Sequence, residues 1–375
     1  MGCFSPVNPG CAAAAIIHPN FFEENQMKTK SDAAMAVPAS NTWKPIVARY
    51  HTPHTWGSIW QVLNTFVPFV GMWIVMYLSL AYSYWLTLAL SILTAGLLVR
   101  IFIIQHDCGH GSFFKSRTAN DRIGSVCGLF TLTPYYYWRK SHAIHHASAS
   151  NLENRGIGDI YTMTVKEYLS QSRWGRLKYR LYRHPLIMFV VAPTLLFVVL
   201  YRFPHPGKAK SWKKERASVM WTNLAIVAVL VIMSLTIGLK AFLLVQLPIS
   251  ILAATMGTWM FFVQHQFEDT YWAGSENWNY TLAALQGSSY YKLPKVLQWF
   301  TGNIGFHHIH HLSPRIPNYL LQKCHEENPT FQQVVELTLW SSLKTTILSL
   351  WDEEQQKLVG FGYLKIIRQR EASTL

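Results

Sequence analysis

Nine histidines stand at spacings that suit metal ligation. "HDCGH" contributes His106 and His110 at i and i+4, "HAIHH" contributes His142, His145 and His146, and "HHIHH" contributes His307, His310 and His311. The last two strings share the spacing i, i+3, i+4. On a helix these intervals bring side chains onto one face, with Cβ atoms about 5–6 Å apart. His265, in "VQHQFED", ends an apolar run at the same depth as His106. A lone HxxxH pair more often marks two interfacial histidines that bind nothing. Three boxes beside the ends of apolar runs are hard to reconcile with chance.

Imidazole ligates zinc, copper, iron and nickel alike, so the donor type leaves the metal open. Ligand number narrows the choice. A catalytic zinc site uses three protein ligands and a structural one four, whereas these imidazoles supply two metals with four or five each and still leave positions for small molecules. The zinc-protease string HExxH does not occur, and a transporter would hold its polar ligands at mid-membrane. Two redox metals at the mouth of a membrane bundle point to oxygen activation. The membrane itself points to the substrate, a long hydrocarbon chain whose C–H bonds yield to neither acid–base nor nucleophilic chemistry.

Metal-bound imidazoles usually donate their second N–H to a carboxylate, carbonyl or water. Asp107, Asp159, Glu268 and Asp269 are placed in sequence to receive such bonds. Asp107 and Asp159 have an equal alternative as helix caps or surface partners of Arg155. Asn303, four residues before His307, either holds a water at the metal or caps the box helix. His18, His51, His54, His184, His205, His308 and His325 lack the setting of the boxes and read as surface or packing residues.

The elements that must carry these residues are membrane spans. The 375-residue chain is half apolar and only 14% charged, too greasy and too long for an ordinary soluble domain. Five stretches, roughly 58–80, 84–104, 185–203, 217–239 and 241–263, approach the ~20 residues that a crossing needs. Twelve Lys and Arg residues lie between Gln105 and His184, and six more between Arg202 and Arg216. Both flanks of 185–203 are therefore expected on the cytoplasmic side, and Pro193 in its middle breaks or kinks a helix. That stretch is expected to be re-entrant or interfacial. Four crossings in two hairpins remain, with both termini cytoplasmic.

The net charge of +14 fits basic loops against anionic lipid. Nucleic acid is excluded as a partner, because the basic residues lie between apolar spans and no nucleic-acid-binding motif is present. Five cysteines without a CxxC pair argue against a disulfide scaffold or a zinc ribbon. Residues 1–45 read as a flexible cytoplasmic tail without a myristoylation or signal-peptide pattern. Arg100, near the end of the second span, is expected to snorkel to the interface. The aromatic residues read mostly as an interfacial belt. The basic run from Lys208 to Arg216 suits a phospholipid headgroup, an acidic electron carrier or simple surface anchoring.

From about Trp56 to Tyr319 the chain resembles the membrane fatty-acid desaturases, a di-iron family with HxxxH, HxxHH and HxxHH boxes. The likeness is carried by "QHDCGHGSFF", "WRKSHAIHH", "NLENRGIGDIYTMTVKEY", "FFVQHQFEDTYW" and "NIGFHHIHHLSPRIPNY", and it is strongest to the bacterial acyl-lipid group acting at the Δ12 or ω-6 position. The resemblance implies two iron ions held by His106, His110, His142, His145, His146, His265, His307, His310 and His311, with O2 as co-substrate. It implies an all-α integral membrane fold of four crossings under a cytoplasmic helical cap. The desaturase domain would span 46–345 and a cytoplasmic tail 346–375, in a bacterial inner membrane. Tyr290 stands where close relatives often have histidine. "HPGK" at His205 is similar to the haem-binding HPGG of fused b-type cytochrome domains but lacks the second glycine. Electrons are then expected from a separate donor, such as ferredoxin or a b-type cytochrome with its reductase. The implied reaction is desaturation of a lipid-linked acyl chain; a hydroxylase or ketolase acting on fatty acid, alkane or carotenoid uses the same boxes, and a metal-binding transporter is the more distant rival.

Overall fold

The computed structural model describes residues 42–156, 158–204 and 211–373. The readings of residues 1–41, His205, Lys208 and Lys210 lie outside the described residues. Residues 43–45, expected at the end of the tail, belong to a helix. A short helix α1 (Trp43–Ala48) is anchored by Trp43, which is buried and whose Nε1 donates to Thr281 Oγ1 at 3.2 Å.

The apolar runs fold as long helices. α2 (Thr55–Ser79) and α3 (Tyr84–His110) are each long and apolar enough to cross a membrane. Between them the usual globular pattern is inverted. Thr65, Ser79, Thr87, Ser91 and Thr94 are buried while Trp60, Val67, Ile74 and Ile92 face outward. Small polar residues let two helices approach in lipid, and their hydroxyls find partners across the contact; Ser79 Oγ and Thr87 Oγ1 are 2.7 Å apart. α3 runs on for two turns past Ile104, so His106 and His110 ride on the same rigid rod as the span. Gly111, at φ +71°, then ends it in the left-handed conformation that favours glycine.

Arg100 does not snorkel. It is 6% exposed, donates from Nε to Thr65 Oγ1 at 3.0 Å and from Nη1 to the Trp299 carbonyl, and stacks over the Trp299 ring at 4.1 Å. A guanidinium that finds two acceptors and an aromatic face inside the protein has no need to reach the interface.

Two helices follow α3, namely α4 (Arg117–Phe130) and α5 (Tyr135–Ser148). Next come a short strand β1 (Met163–Thr164) and helices α6 (Val165–Ser170) and α7 (Arg173–Tyr182). In the stretch 185–203, a π-helical turn (Ile187–Val191) leads into α8 (Ala192–Val198). Pro193 falls at the junction of the π-turn and α8, where the widened turn accommodates a residue without an N–H. The helical run from Ile187 to Arg202 is bent by 61° from α7. α9 (Lys213–Thr236) and α10 (Leu239–His265) are the other two membrane-length helices, and α3 packs against both α2 and α10.

Shorter elements complete the chain: α11 (Tyr280–Leu285), β2 (Tyr290–Tyr291), α12 (Lys295–Phe300), α13 (His307–Leu312), α14 (Asn318–Glu326), β3 (Glu336–Leu337) and α15 (Leu339–Thr345). After them come β4 (Leu348–Asp352), β5 (Lys357–Gly360) and α16 (Tyr363–Ser373). The protein is thus mostly helical but not all-α. β4 pairs antiparallel with β5 and parallel with β1, and β2 pairs with β3. Nor is the segment after residue 345 a free tail. Leu350, Trp351, Leu358 and Val359 are buried, and Trp351 stacks on Trp272 with ring centroids 5.8 Å apart. The alternation in "LSLWD" and the apolar "LVG" make these residues a closing hairpin over the loop that follows α10.

Trp351→Ala should therefore cost about 3–5 kcal/mol, as expected for emptying a fully buried aromatic site. Thermal unfolding of the solubilised protein checks it; an unchanged midpoint would mean that the C-terminal hairpin is dispensable.

Candidate metal centre

Four elements deliver the histidines to one place. Tyr135 ties the second box to the first, its hydroxyl donating to the Cys108 carbonyl at 2.8 Å. Its ring lies where a side chain on residue 124 would be, since a Cβ on Gly124 would fall 2.3 Å from Tyr135 Cε2. The third box forms the six-residue helix α13, buried throughout. Two long-range bonds hold it: Tyr280 Oη donates to the His311 carbonyl at 2.7 Å, and Gln264 Nε2 donates to the Ile304 carbonyl at 2.9 Å.

All nine sequence-selected histidines converge. His106, His110, His142, His146 and His310 bring one ring nitrogen each within 4.8 Å of one another. His145, His265 and His311 do the same in a second group, and His307 joins it with its Nε2 2.9 Å from His265 Nε2. The groups abut where the His146 and His311 rings stack at 4.2 Å. Within the first group His146 Nε2 lies 3.1 Å from His142 Nε2 and 3.0 Å from His310 Nε2.

The donor set fits a pair of cations. Burial and the neighbouring imidazoles push His142, His146, His307, His310 and His311 well below the usual imidazole range, which keeps the rings in the neutral form that ligates metals. Buried nitrogens on His110, His145, His307 and His311 have no hydrogen-bond partner, and such atoms are costly unless something accepts their lone pairs. Three rings are oriented from behind. His106 Nδ1 is 3.1 Å from Asp107 Oδ1, His145 Nδ1 bonds Asp159 Oδ1, and His265 Nδ1 is 3.3 Å from the Gly287 carbonyl. Each contact fixes a tautomer and turns Nε2 inward.

The two aspartates thus sit behind histidines; Arg155 pairs with Glu167 at 2.6 Å instead. Gly158, at φ +76°, makes the Asp159 approach possible, because a Cβ there would meet His145 Cβ at 3.1 Å and the Ser141 carbonyl oxygen at 3.2 Å. Glu268 is not behind a histidine. Its side chain is 62% exposed and faces Lys357 at 3.6 Å, because the chain turns outward directly after α10. Asn303 neither caps α13, whose N-cap is Phe306, nor bonds a box histidine; it adopts φ +58° and its Nδ2 donates to the Asn318 carbonyl at 3.3 Å.

Sequence reasoning missed Asn318. Its backbone N–H and its Nδ2 donate to Asp107 Oδ2 at 2.6 and 2.9 Å, locking the carboxylate that orients His106. The signal was its place in "SPRIPNY", directly after the third box. His308 and His325 are both buried and pair with each other at 3.1 Å, beside Tyr290, whose ring centroid is 5.0 Å from that of His325.

A cavity of about 510 Å³ reaches this centre. His106, His142 and His307 line it, and most of the rest of its wall is apolar, including Leu98, Phe102 and Phe261. A smaller cavity of about 20 Å³ touches His145 and His265, room for roughly one water.

Four membrane-length apolar helices and a histidine cluster able to hold metal define a multi-pass membrane protein with a candidate metal site. The fatty acid desaturase family model matches residues 83–341, and the chain belongs to that family. It is 50% identical over 321 residues to a fatty acid desaturase of Bacillus subtilis, covering 86% of this chain and 90% of the relative. More distantly, it is 29% identical to an sn-1 acyl-lipid omega-3 desaturase (ferredoxin) of Synechocystis, over 60% of this chain and 62% of that protein. An sn-1 oleoyl-lipid 12-desaturase of the same organism is 27% identical, with 66% and 70% covered. The protein is an oxidoreductase of the desaturase type.

Asp159→Asn should weaken metal retention about 10–100-fold, as loss of a partner behind a ligating histidine does, while the fold stays intact. Metal analysis of purified protein against wild type reads this out; full metal in the variant would remove Asp159 from the centre.

Proposed function

We propose that the protein removes two hydrogens from adjacent carbons of a lipid-linked acyl chain, forming a cis double bond at the Δ12 or ω-6 position. The carrying observation is the five-and-four partition of the nine imidazoles, three of which line a mostly apolar cavity. His106, His110, His142, His146 and His310 would hold one iron, and His145, His265, His307 and His311 the other. Bound iron supplies the O2 chemistry that unactivated C–H bonds require. Overall, one O2, two electrons and two protons take up the two hydrogens and leave as two waters.

The protein's own share is positioning. The apolar wall excludes water from the chain and holds the reacting carbons against His106, His142 and His307. Asp107 and Asp159 keep His106 and His145 turned inward. Ferredoxin is the electron donor favoured by the names of the cyanobacterial relative and of an Arabidopsis thaliana chloroplast one, with a b-type cytochrome and its reductase as the other option. The basic loops support a topology of two hairpins with both termini and the helical cap on the cytoplasmic side of a bacterial inner membrane. On this topology the bent run 187–202 is re-entrant or interfacial.

Mass spectrometry of total fatty acids, with double bonds located, tests the reading in a host making the chain. A new unsaturated product is expected from wild type and none from His142→Ala. Under labelled O2 the lipid should carry no label; label in the lipid would instead identify a hydroxylase or ketolase. A product that survives His142→Ala would sink the ligand assignment.

A further inference from the structure

We infer that Gly257, on the cavity face of α10, sets how long an acyl chain the protein accepts, with Ser250 acting one register deeper. The inference rests on the desaturase reading above and concerns residues that reading does not use. Ser250, Ala253, Ala254 and Gly257 all line the large cavity. Their spacing of i, i+3, i+4 and i+7 puts them on one side of the helix. The same cavity is lined by His307, which is 3% exposed and carries an unpartnered Nδ1. A wall of small side chains therefore leads up to the histidine cluster.

Gly257 is the informative member. Glycine inside a helix is destabilising relative to alanine, so it is retained where a side chain would collide or where space is needed. Gly96 on α3 illustrates the first case, since a Cβ there would meet the Phe300 ring at 3.0 Å. Gly257 is the second case, because a Cβ built on it meets nothing within 4 Å. No protein atom claims the space that the glycine leaves, and that space belongs to the cavity. A flexible hydrocarbon chain is what such a slot takes: it needs width and apolar walls and asks for no hydrogen bond.

Depth follows from helix geometry. At about 1.5 Å per residue, Gly257 lies roughly 12 Å along α10 from His265, and Ser250 roughly 22 Å. A branched side chain at 257 should obstruct any chain extending beyond the first depth, and one at 250 only chains reaching the second. Gly71 on α2 is exposed and also meets nothing within 4 Å, but it does not line this cavity, so it serves as the control.

The test supplies saturated and monounsaturated acyl chains of graded length to a host making wild type, Gly257→Leu, Ser250→Leu or Gly71→Leu. Products are quantified by mass spectrometry, and iron is measured in each purified protein. Gly257→Leu should lower conversion of the longest chains relative to the shortest accepted by at least about tenfold, the scale on which a filled apolar pocket discriminates. Ser250→Leu should spare more of the intermediate lengths, and Gly71→Leu should match wild type. An unchanged length profile in an iron-loaded Gly257→Leu protein overturns the inference while leaving the desaturase reading intact. Absence of any product from wild type overturns the reading itself. If Gly257→Leu does not accumulate, Gly257→Ala decides: a shift in the same direction supports the slot, and a wild-type profile rejects it.

Discussion

The constraint on which everything else depends is the crowding of nine imidazoles against one another, seven of them buried. Each ring nitrogen withdrawn from water needs a partner, and a buried polar atom without one costs about 1–3 kcal/mol. In this protein the rings present nitrogens to each other at 2.9–3.1 Å, and several have no hydrogen-bond partner at all. Tautomer choice alone does not resolve this conflict, because His110 Nε2, His145 Nε2 and His311 Nε2 have no partner whichever ring of each facing pair carries the proton. On the proposed reading bound cations resolve it, which couples metal loading to stability of the helices that carry the boxes.

That coupling explains the division of labour among the elements. The first box extends a membrane-length helix, so its position is fixed by the bundle. The second is pinned to the first by the Tyr135 hydroxyl. The third sits on a helix of only six residues, too short to be stable alone, and depends on Tyr280 and Gln264 for its placement. The least autonomous element is thus the most heavily braced. Asn318 completes the bracing by clamping Asp107, so that the sequence just after the third box controls the orientation of a histidine in the first.

The parts legible in the sequence were those governed by a repeat. Box spacing is a helical periodicity, and apolar run length is a membrane thickness, so the nine histidines and the four long helices could both be read directly. Asp107 and Asp159 could be proposed because each stands close in sequence to a box or to the motif that follows it. What escaped depends on contacts between distant residues. Arg100 looked like a snorkelling residue because Thr65 and the Trp299 carbonyl, its acceptors, lie 35 and 199 positions away. Glu268 was placed behind the centre on proximity to His265, but the chain turns outward there and the side chain meets Lys357. The hairpin of β4 and β5 looked like a tail because strands of four and five residues carry little signal, and their burial is supplied by β1 and Trp272.

Why the cluster uses only imidazoles, with the carboxylates one step behind, follows from what the cavity must hold. Carboxylates coordinating directly would bring full negative charges to the edge of an apolar slot, where exposing a charge is expensive. Neutral rings carry no such penalty, yet a dication ringed only by neutral donors would leave its charge unbalanced in a low dielectric. Asp107 and Asp159 meet both demands. Each bonds the outer nitrogen of one ring, one in each metal-sized group. Asp107, 1% exposed, is further held by two N–H donors from Asn318. The compensating charge is thereby passed through an imidazole, and of the two carboxylates only Asp159 reaches the cavity wall. On the proposed reading an acyl chain then lies against His106, His142 and His307, and the one carboxylate on the wall, Asp159, is tied to the outer nitrogen of His145.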